Sequence, residues 1–263
     1  MSAPATTARA TGRVRRPPVR RPAPARDAAD VGLRARVLAA LAAVRDPELD
    51  EPITDLRFVS AIEVGEAGEV TVRLRLPTPQ CAPNFAFLMG ADARRAVARV
   101  RGVRRVIVRL EDHYTGEEIN RALRGSAGFS EAFPGETDDD DLETLRAIFT
   151  RKALIARQAT VCERMLADGW SEETVLGARV RALPDLPEAR RALMLRAELG
   201  LPTDGDSPAF VEPGGQPAGA PGLRRWLRGA RLVRLSLEAN GGICRDLLRA
   251  RHGPAADLEE AGR

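Results

Sequence analysis

Val70-Thr71-Val72-Arg73-Leu74-Arg75-Leu76-Pro77-Thr78-Pro79-Gln80-Cys81-Ala82-Pro83-Asn84 is the stretch on which the reading of the first half of the chain turns. Val70, Val72, Leu74 and Leu76 alternate with Thr71, Arg73 and Arg75, the period-two pattern of a strand with one buried and one wet face. Upstream, Phe58 to Val64 is a second β-like run, and Gly65-Glu66-Ala67-Gly68 between the two is a hairpin signal. Downstream, Pro83 to Val100 reads as a helix and Val103 to Leu110 as a third strand, which requires a crossover from the second strand. Val31 to Val44 forms an opening helix with Val37, Leu38, Leu41 and Val44 on one face, and Asp46-Pro47 ends it because the residue before proline is pushed out of the helical region. Thr115 to Leu123 adds a short capping helix. The pattern predicts an α+β fold whose first unit, residues 31–125, is a two-layer α/β domain of helix, hairpin, helix and strand.

Beyond Gly125 the β pattern stops. Gly125 to Gly135 reads as a loop, and Thr137 to Asp141 brings capping groups and negative charge to the start of a long helix. Leu145, Ile148, Ile155, Ala159, Cys162 and Leu166 form one stripe along it. Ser171 opens another helix and Pro187 to Leu199 a third. Leu201 to Pro221, rich in Pro, Gly, Asp and Ser, is expected as a flexible loop. Leu223 to Glu238 is a fourth helix, broken at Asn240-Gly241-Gly242 and resumed from Ile243 to Arg251. Residues 137–252 are thus expected as an all-α module, between disordered tails at 1–30 and 253–263.

The chain has 263 residues and a formal charge of +4. Residues 1–30 carry seven Arg and two Asp, so the basic character belongs to the tail and the body is nearly neutral. Stacking aromatics do not accompany that charge, which argues against specific nucleic-acid binding. No run of 18 apolar residues is present, and the start of the chain has no apolar segment of the secretory kind. Three widely spaced cysteines (Cys81, Cys162 and Cys244) fit free thiols in a reducing cytoplasm better than a disulfide framework. With only His113 and His252 available, a self-contained Cys/His zinc site is not expected.

Cys81 stands two residues before the proline that opens a helix, where unpaired N–H groups and the positive dipole end converge. That setting favours the thiolate, the form that binds metal or attacks electrophiles. Thr78 is placed to hydrogen-bond the loop or the sulfur. The order Asp46-Pro47-Glu48, then Asp55-Leu56 with Val59, then Thr78 with Cys81 before a helix, then Gly102-Val103 with Val106, resembles the SufT and PaaD family, a domain type associated with iron–sulfur cluster assembly and metalloenzyme maturation. The resemblance covers about 90 residues. It implies a reactive or cluster-contacting role for Cys81 as metal ligand, with Asp46, Glu48, Asp55 and Thr78 supporting it, and a transiently bound iron–sulfur cluster or iron as the cargo. This chain departs from the family at Arg57, where the family has Gly, and at Pro77, where it has Thr.

One thiolate cannot hold a cluster alone, since cysteine-ligated clusters normally take four. Two copies pair as a homodimer, other thiols assist, or the domain acts on clients by contact. Cys162 lies on the apolar stripe and reads as core. Cys244, following Gly241-Gly242 at the start of a resumed helix, is a second candidate thiol by the dipole argument. A joint site of Cys81 and Cys244 requires the two halves of the chain to face each other. His113 reads as an exposed loop residue rather than a ligand. The expected function is a cytoplasmic accessory factor, not an enzyme, that assembles or matures a client metalloenzyme such as an oxygenase, alone or with other iron–sulfur assembly proteins. The alternative is a non-metal adaptor that docks a multicomponent monooxygenase through its helical half.

Overall fold

The computed structural model describes residues 26–125, 128–136, 142–219 and 222–253; the predicted cap at Thr137 to Asp141 and most of both predicted tails lie outside them. Helix α1 spans Arg26–Leu41, strand β1 Val59–Val64, β2 Glu69–Arg75, α2 Pro83–Ala98, β3 Arg105–Glu111 and α3 Gly116–Arg124. The predicted helix–hairpin–helix–strand order is therefore the observed one, although α1 begins before Val31, inside the predicted tail. A one-turn helix, α4 (Phe129–Ala132), interrupts the segment expected as plain loop, and Phe129 is buried there against Phe87.

β2 is the central strand. It pairs antiparallel with β1 and parallel with β3, with Val70 beside Val106, Val72 beside Val108 and Leu74 beside Leu110. α2 makes the crossover that parallel pairing demands. The alternation along β2 resolves as expected: Val70, Val72 and Leu74 are buried under α1 and α2. On the open face Arg73 and Arg75 both donate to Glu111 of β3, and Ser60 of β1 donates to the same carboxylate. At the hairpin, Gly68 has φ +80, and a Cβ there would stand 2.3 Å from the Gly102 carbonyl, so this turn requires glycine. Asn120 closes the end of β3 by accepting from the Leu110 N–H and donating to its carbonyl.

The second half consists of α5 (Glu143–Ala167), α6 (Glu172–Gly177), α7 (Pro187–Glu198) and α8 (Leu223–His252). Ser171 caps α6 by accepting from the Thr174 N–H. α5 packs on α7 and α8, burying Ala159, Cys162 and Met165 with Phe210, Trp226 and Leu227. Its buried surface is wider than the predicted stripe: Ile148 is exposed, while Leu154, Ala156 and Gln158 are buried.

Two expectations need correction. The described part of the predicted 201–221 loop, residues 201–219, has no helix or strand, yet it is not a free linker: Ala209, Phe210 and Val211 are buried, and Gln158 exchanges two hydrogen bonds with the Val211 backbone. Nor is the last helix broken. α8 runs unbroken through Asn240-Gly241-Gly242, because tertiary packing of Leu248 and the neighbouring ion pairs outweighs the propensity cost of about 1 kcal/mol per glycine.

Contacts run between the two halves. Leu142, Leu145, Cys244 and Leu248 join the core of the α/β unit. Acids of the first half meet arginines of the second: Asp50 with Arg157 and Arg191, Asp92 with Arg146, Glu51 with Arg245, and Asp112 with Arg251. No helix among the described residues is long and apolar enough to cross a membrane.

Candidate functional site

The loop from Pro77 to Ala82 connects β2 to α2. Cys81 is half-buried at its end, and Pro83 occupies the first turn of α2 with no side-chain cap on the helix. The predicted position of the thiol just ahead of a helix start is the observed one. Thr78 Oγ1 lies 3.6 Å from Cys81 Sγ, and the same hydroxyl accepts from the Gln80 N–H.

His113 holds this loop from the far side, a role the sequence reading missed. The Thr115 N–H donates to its Nδ1, so Nε2 carries the proton and donates to the Cys81 carbonyl at 2.7 Å. Burial lowers the His113 pKa, partly offset by that bond, which keeps the ring neutral. His113 is thus neither a ligand nor a loose loop residue; it fixes the backbone that carries the thiol. Tyr114 adds a backbone bond from its N–H to the Pro79 carbonyl.

Asp46 is almost fully buried, and its Oδ1 accepts from the N–H groups of Glu48 and Leu49. It therefore closes the Pro47–Leu49 turn and does not cap the opening helix, which has already ended at Leu41. Burial is the leading cause that pushes its carboxyl up to about 6, against those two hydrogen bonds, with Glu48 and Glu51 adding like charge.

Cys244 reaches the same neighbourhood from α8. It is internal to the helix, so the dipole argument made from the sequence does not apply. Burial pushes its thiol up to about 11, and charge on Asp46, Cys81 and Glu48 pushes in the same direction. Asp46, Glu48 and Cys81 therefore lie close enough to Cys244 for their charge to act on it. Glycine permits the approach: a Cβ on Gly241 would stand 2.7 Å from Glu51 Oε1.

Asp55 does not join them. It is exposed, accepts from Thr54, and lines a cavity of about 440 Å3 with Arg57, Arg75, Arg245, Arg249 and His252. Arg57 has φ +62, the left-handed region, so the position itself favours the glycine that the resemblance leads one to expect. Pro77 turns its carbonyl to the Arg251 guanidinium of α8 at 2.9 Å. Cys162 is fully buried, and burial raises its thiol to about 12, the signature of an inert core residue. No group of three or more His, Cys, Asp or Glu side chains among the described residues is arranged to hold a metal ion.

Comparison with known proteins adds an independent line. A family model described as iron–sulfur cluster assembly protein matches residues 34–108. An uncharacterized protein of Methanocaldococcus jannaschii is 34% identical over 88 residues, covering 34% of this chain and 90% of that protein. Iron–sulfur cluster carrier proteins of Mycobacterium tuberculosis and Mycobacterium leprae are each 36% identical, over 98 and 105 residues. Those matches cover 36% and 39% of this chain but only 25% and 26% of the carriers. The family match takes in Asp46, Glu48, Asp55, Thr78 and Cys81 and ends before the helical half.

Proposed function

The chain belongs to the iron–sulfur cluster assembly protein family, and from that premise we propose that it is an accessory factor which handles a cluster, or iron, for a client metalloenzyme. The observation that carries this reading is Cys81, half-buried at a helix start inside the matched segment, on a loop fixed by His113. Cys81 is the contacting thiol. Thr78 supports the sulfur, while Asp46 and Glu48 set the turn and the charge beside it. The cluster is cargo and not a resident group, because the chain has three cysteines where a cysteine-ligated cluster normally takes four, and the described residues group no three ligand side chains for a metal. Its place of work is the cytoplasm, with a reducing supply of thiols; other assembly proteins, or a second copy, complete the ligand set during transfer.

The test is anaerobic reconstitution of the purified full chain with ferrous iron and sulfide, beside Cys81→Ala. Thiolate-to-iron absorption in the wild type and its loss in the variant support the reading. A wild type that takes up nothing, or a variant that takes up as much, overturns it.

The adaptor reading keeps one observation in its favour. Leu232, Leu235, Ile243 and Leu247 of α8 are 70, 52, 58 and 40% exposed and repeat at helical spacing on the face opposite Leu227 and Leu248. Such a stripe suits the surface of an oligomeric enzyme, a monooxygenase among them. An adaptor should tolerate Cys81→Ser in complementation but fail with Leu232→Glu and Ile243→Glu combined; a cluster factor should fail with Cys81→Ser.

A further inference from the structure

Cluster handling leaves Cys81 short of ligands, and the fold brings up a second thiol from outside the family-matched segment. Four contacts seat the stretch of α8 that carries Cys244 on the α/β unit, the last of them at the start of the Cys81 loop. Leu248, one turn further along α8, is buried in the α/β core. Gly241, almost one turn earlier, lies against Glu51 so closely that no Cβ fits without moving that side chain. Arg245 pairs with the same Glu51. Arg251 donates to the Pro77 carbonyl and pairs with Asp112, which ties the end of α8 to the start of the Cys81 loop. Gly241, Cys244 and Leu248 follow at three- and four-residue spacing, so one face of the helix carries all of them inward. Cys81 and Cys244 pack on the same core.

We infer that Cys81 and Cys244 form a single two-thiol site that offers paired sulfur ligands to one iron of the cargo, with α8 supplying the second ligand. The inference rests on the cluster-handling function proposed above. On binding, each thiol forms a sulfur–iron bond and releases one proton to solvent, with no change of oxidation state. The cation reverses the local charge balance that disfavours a thiolate at Cys244. Two ligands from this chain leave the rest of the four for other thiolates, so the cluster stays open to capture by a client. Asp46 and Glu48 hold negative charge beside the pair and offset the metal.

Two measurements on the full chain decide it. In the first, reduced protein receives one equivalent of phenylarsine oxide, a trivalent arsenical that bridges neighbouring thiols, and is then alkylated and mapped by peptide mass. Joint protection of Cys81 and Cys244 is expected, lost at the remaining thiol in Cys81→Ser and in Cys244→Ser; free alkylation of Cys244 in the treated wild type overturns the inference. In the second, anaerobic iron and sulfide reconstitution compares wild type, Cys81→Ser, Cys244→Ser and Cys244→Ala, with circular dichroism to show that each is folded. Both Cys244 variants should retain several-fold less iron than wild type. If they retain wild-type iron and spectrum while Cys81→Ser is empty, the inference falls and the proposed function stands. If Cys81→Ser retains all its iron, or wild type retains none, the proposed function itself falls.

Discussion

Arg157 of α5 donates to the Asp50 carboxylate at 2.8 Å and to the Asp50 carbonyl at 2.6 Å, joining the helical half to the loop that follows Asp46-Pro47-Glu48. The Asp50 carboxylate is only 2% exposed and also receives Arg191 at 2.8 Å, with Arg45 close by. One buried acid thus binds arginines from both halves. Removing it leaves Arg157 and Arg45 without this counter-charge while Arg191 keeps Glu198, a change that costs about 3–5 kcal/mol. Asp50→Ala should therefore lower the urea midpoint strongly, whereas Asp50→Asn, which keeps an acceptor and tolerates the φ of +51, should lose less. Equal losses would show that geometry and not charge holds the junction.

Asp46 carries a pH dependence of the opposite kind from a surface acid. Its folded pKa, about 6, lies above the ordinary value of 3.8, so the folded protein binds the extra proton between those limits. The contribution to stability is complete below the unfolded value and is lost as pH rises through about 6, amounting to about 3 kcal/mol. Asp46→Asn keeps an oxygen for the Glu48 and Leu49 N–H groups and removes the buried charge. It should be more stable than wild type at pH 7.5, by up to that amount, and nearly equal to it only below the unfolded value of 3.8, measured by urea unfolding. Alkylation of Cys244 should also quicken, because the Asp46 charge that raises its pKa is gone.

Much of the α/β half was legible because period-two alternation, a hairpin signal and a helix-opening proline all act locally. Val70, Val72 and Leu74 could be assigned to a buried face from spacing alone. The rest was hidden wherever a distant contact overrides a local rule. Asn240-Gly241-Gly242 is a helix breaker by propensity, yet Gly241 packs where a Cβ would displace the Glu51 side chain, and the helix continues. His113 could not be connected to Cys81 from the sequence, because their bond depends on β3 ending beside the loop after β2. The only sequence signal for Cys244 was its glycine pair, read for the wrong reason: Gly241 lies close against Glu51 inside a continuous helix, and the pair marks no helix start.

Arg57 occupies a left-handed conformation that costs a residue with a Cβ about 1–2 kcal/mol. Among the described residues its side chain has no hydrogen bond or ion pair to offset that cost. Arg57→Gly should raise stability by about 1 kcal/mol, after allowing for the greater freedom of glycine in the unfolded chain. A thermal melt that falls instead would mean the guanidinium is doing something in the basic cavity that exceeds the strain.

Gly241 and Gly242 make an internal control. A Cβ at Gly242 meets open space, so Gly242→Ala should gain about 0.5–1 kcal/mol from helix propensity. Gly241→Ala gains the same propensity but must push aside Glu51 and its pairing with Arg245. It should gain little or nothing in urea unfolding, and Cys244 should alkylate faster as α8 lifts. If both variants gain alike and the alkylation rate is unchanged, close approach at Gly241 is not what seats the helix.

Gln158 decides whether the 201–221 segment is structure or linker. Its Nε2 donates to the Val211 carbonyl at 2.9 Å, and its Oε1 accepts from the Val211 N–H at 2.8 Å, with both residues buried. Gln158→Ala leaves one backbone donor and one acceptor without partners, at about 1–3 kcal/mol each. Gln158→Glu keeps the acceptor but, when ionised, faces the Val211 carbonyl with negative charge in a buried site. Its folded pKa should be raised, so its penalty should grow as pH rises and be smaller at pH 5 than at pH 8. Limited proteolysis under native conditions gives the readout: wild type should resist cleavage between 201 and 219, while Gln158→Ala should be cut there first. Cleavage of the wild type in that segment at the same rate would return it to the flexible loop that its composition suggests.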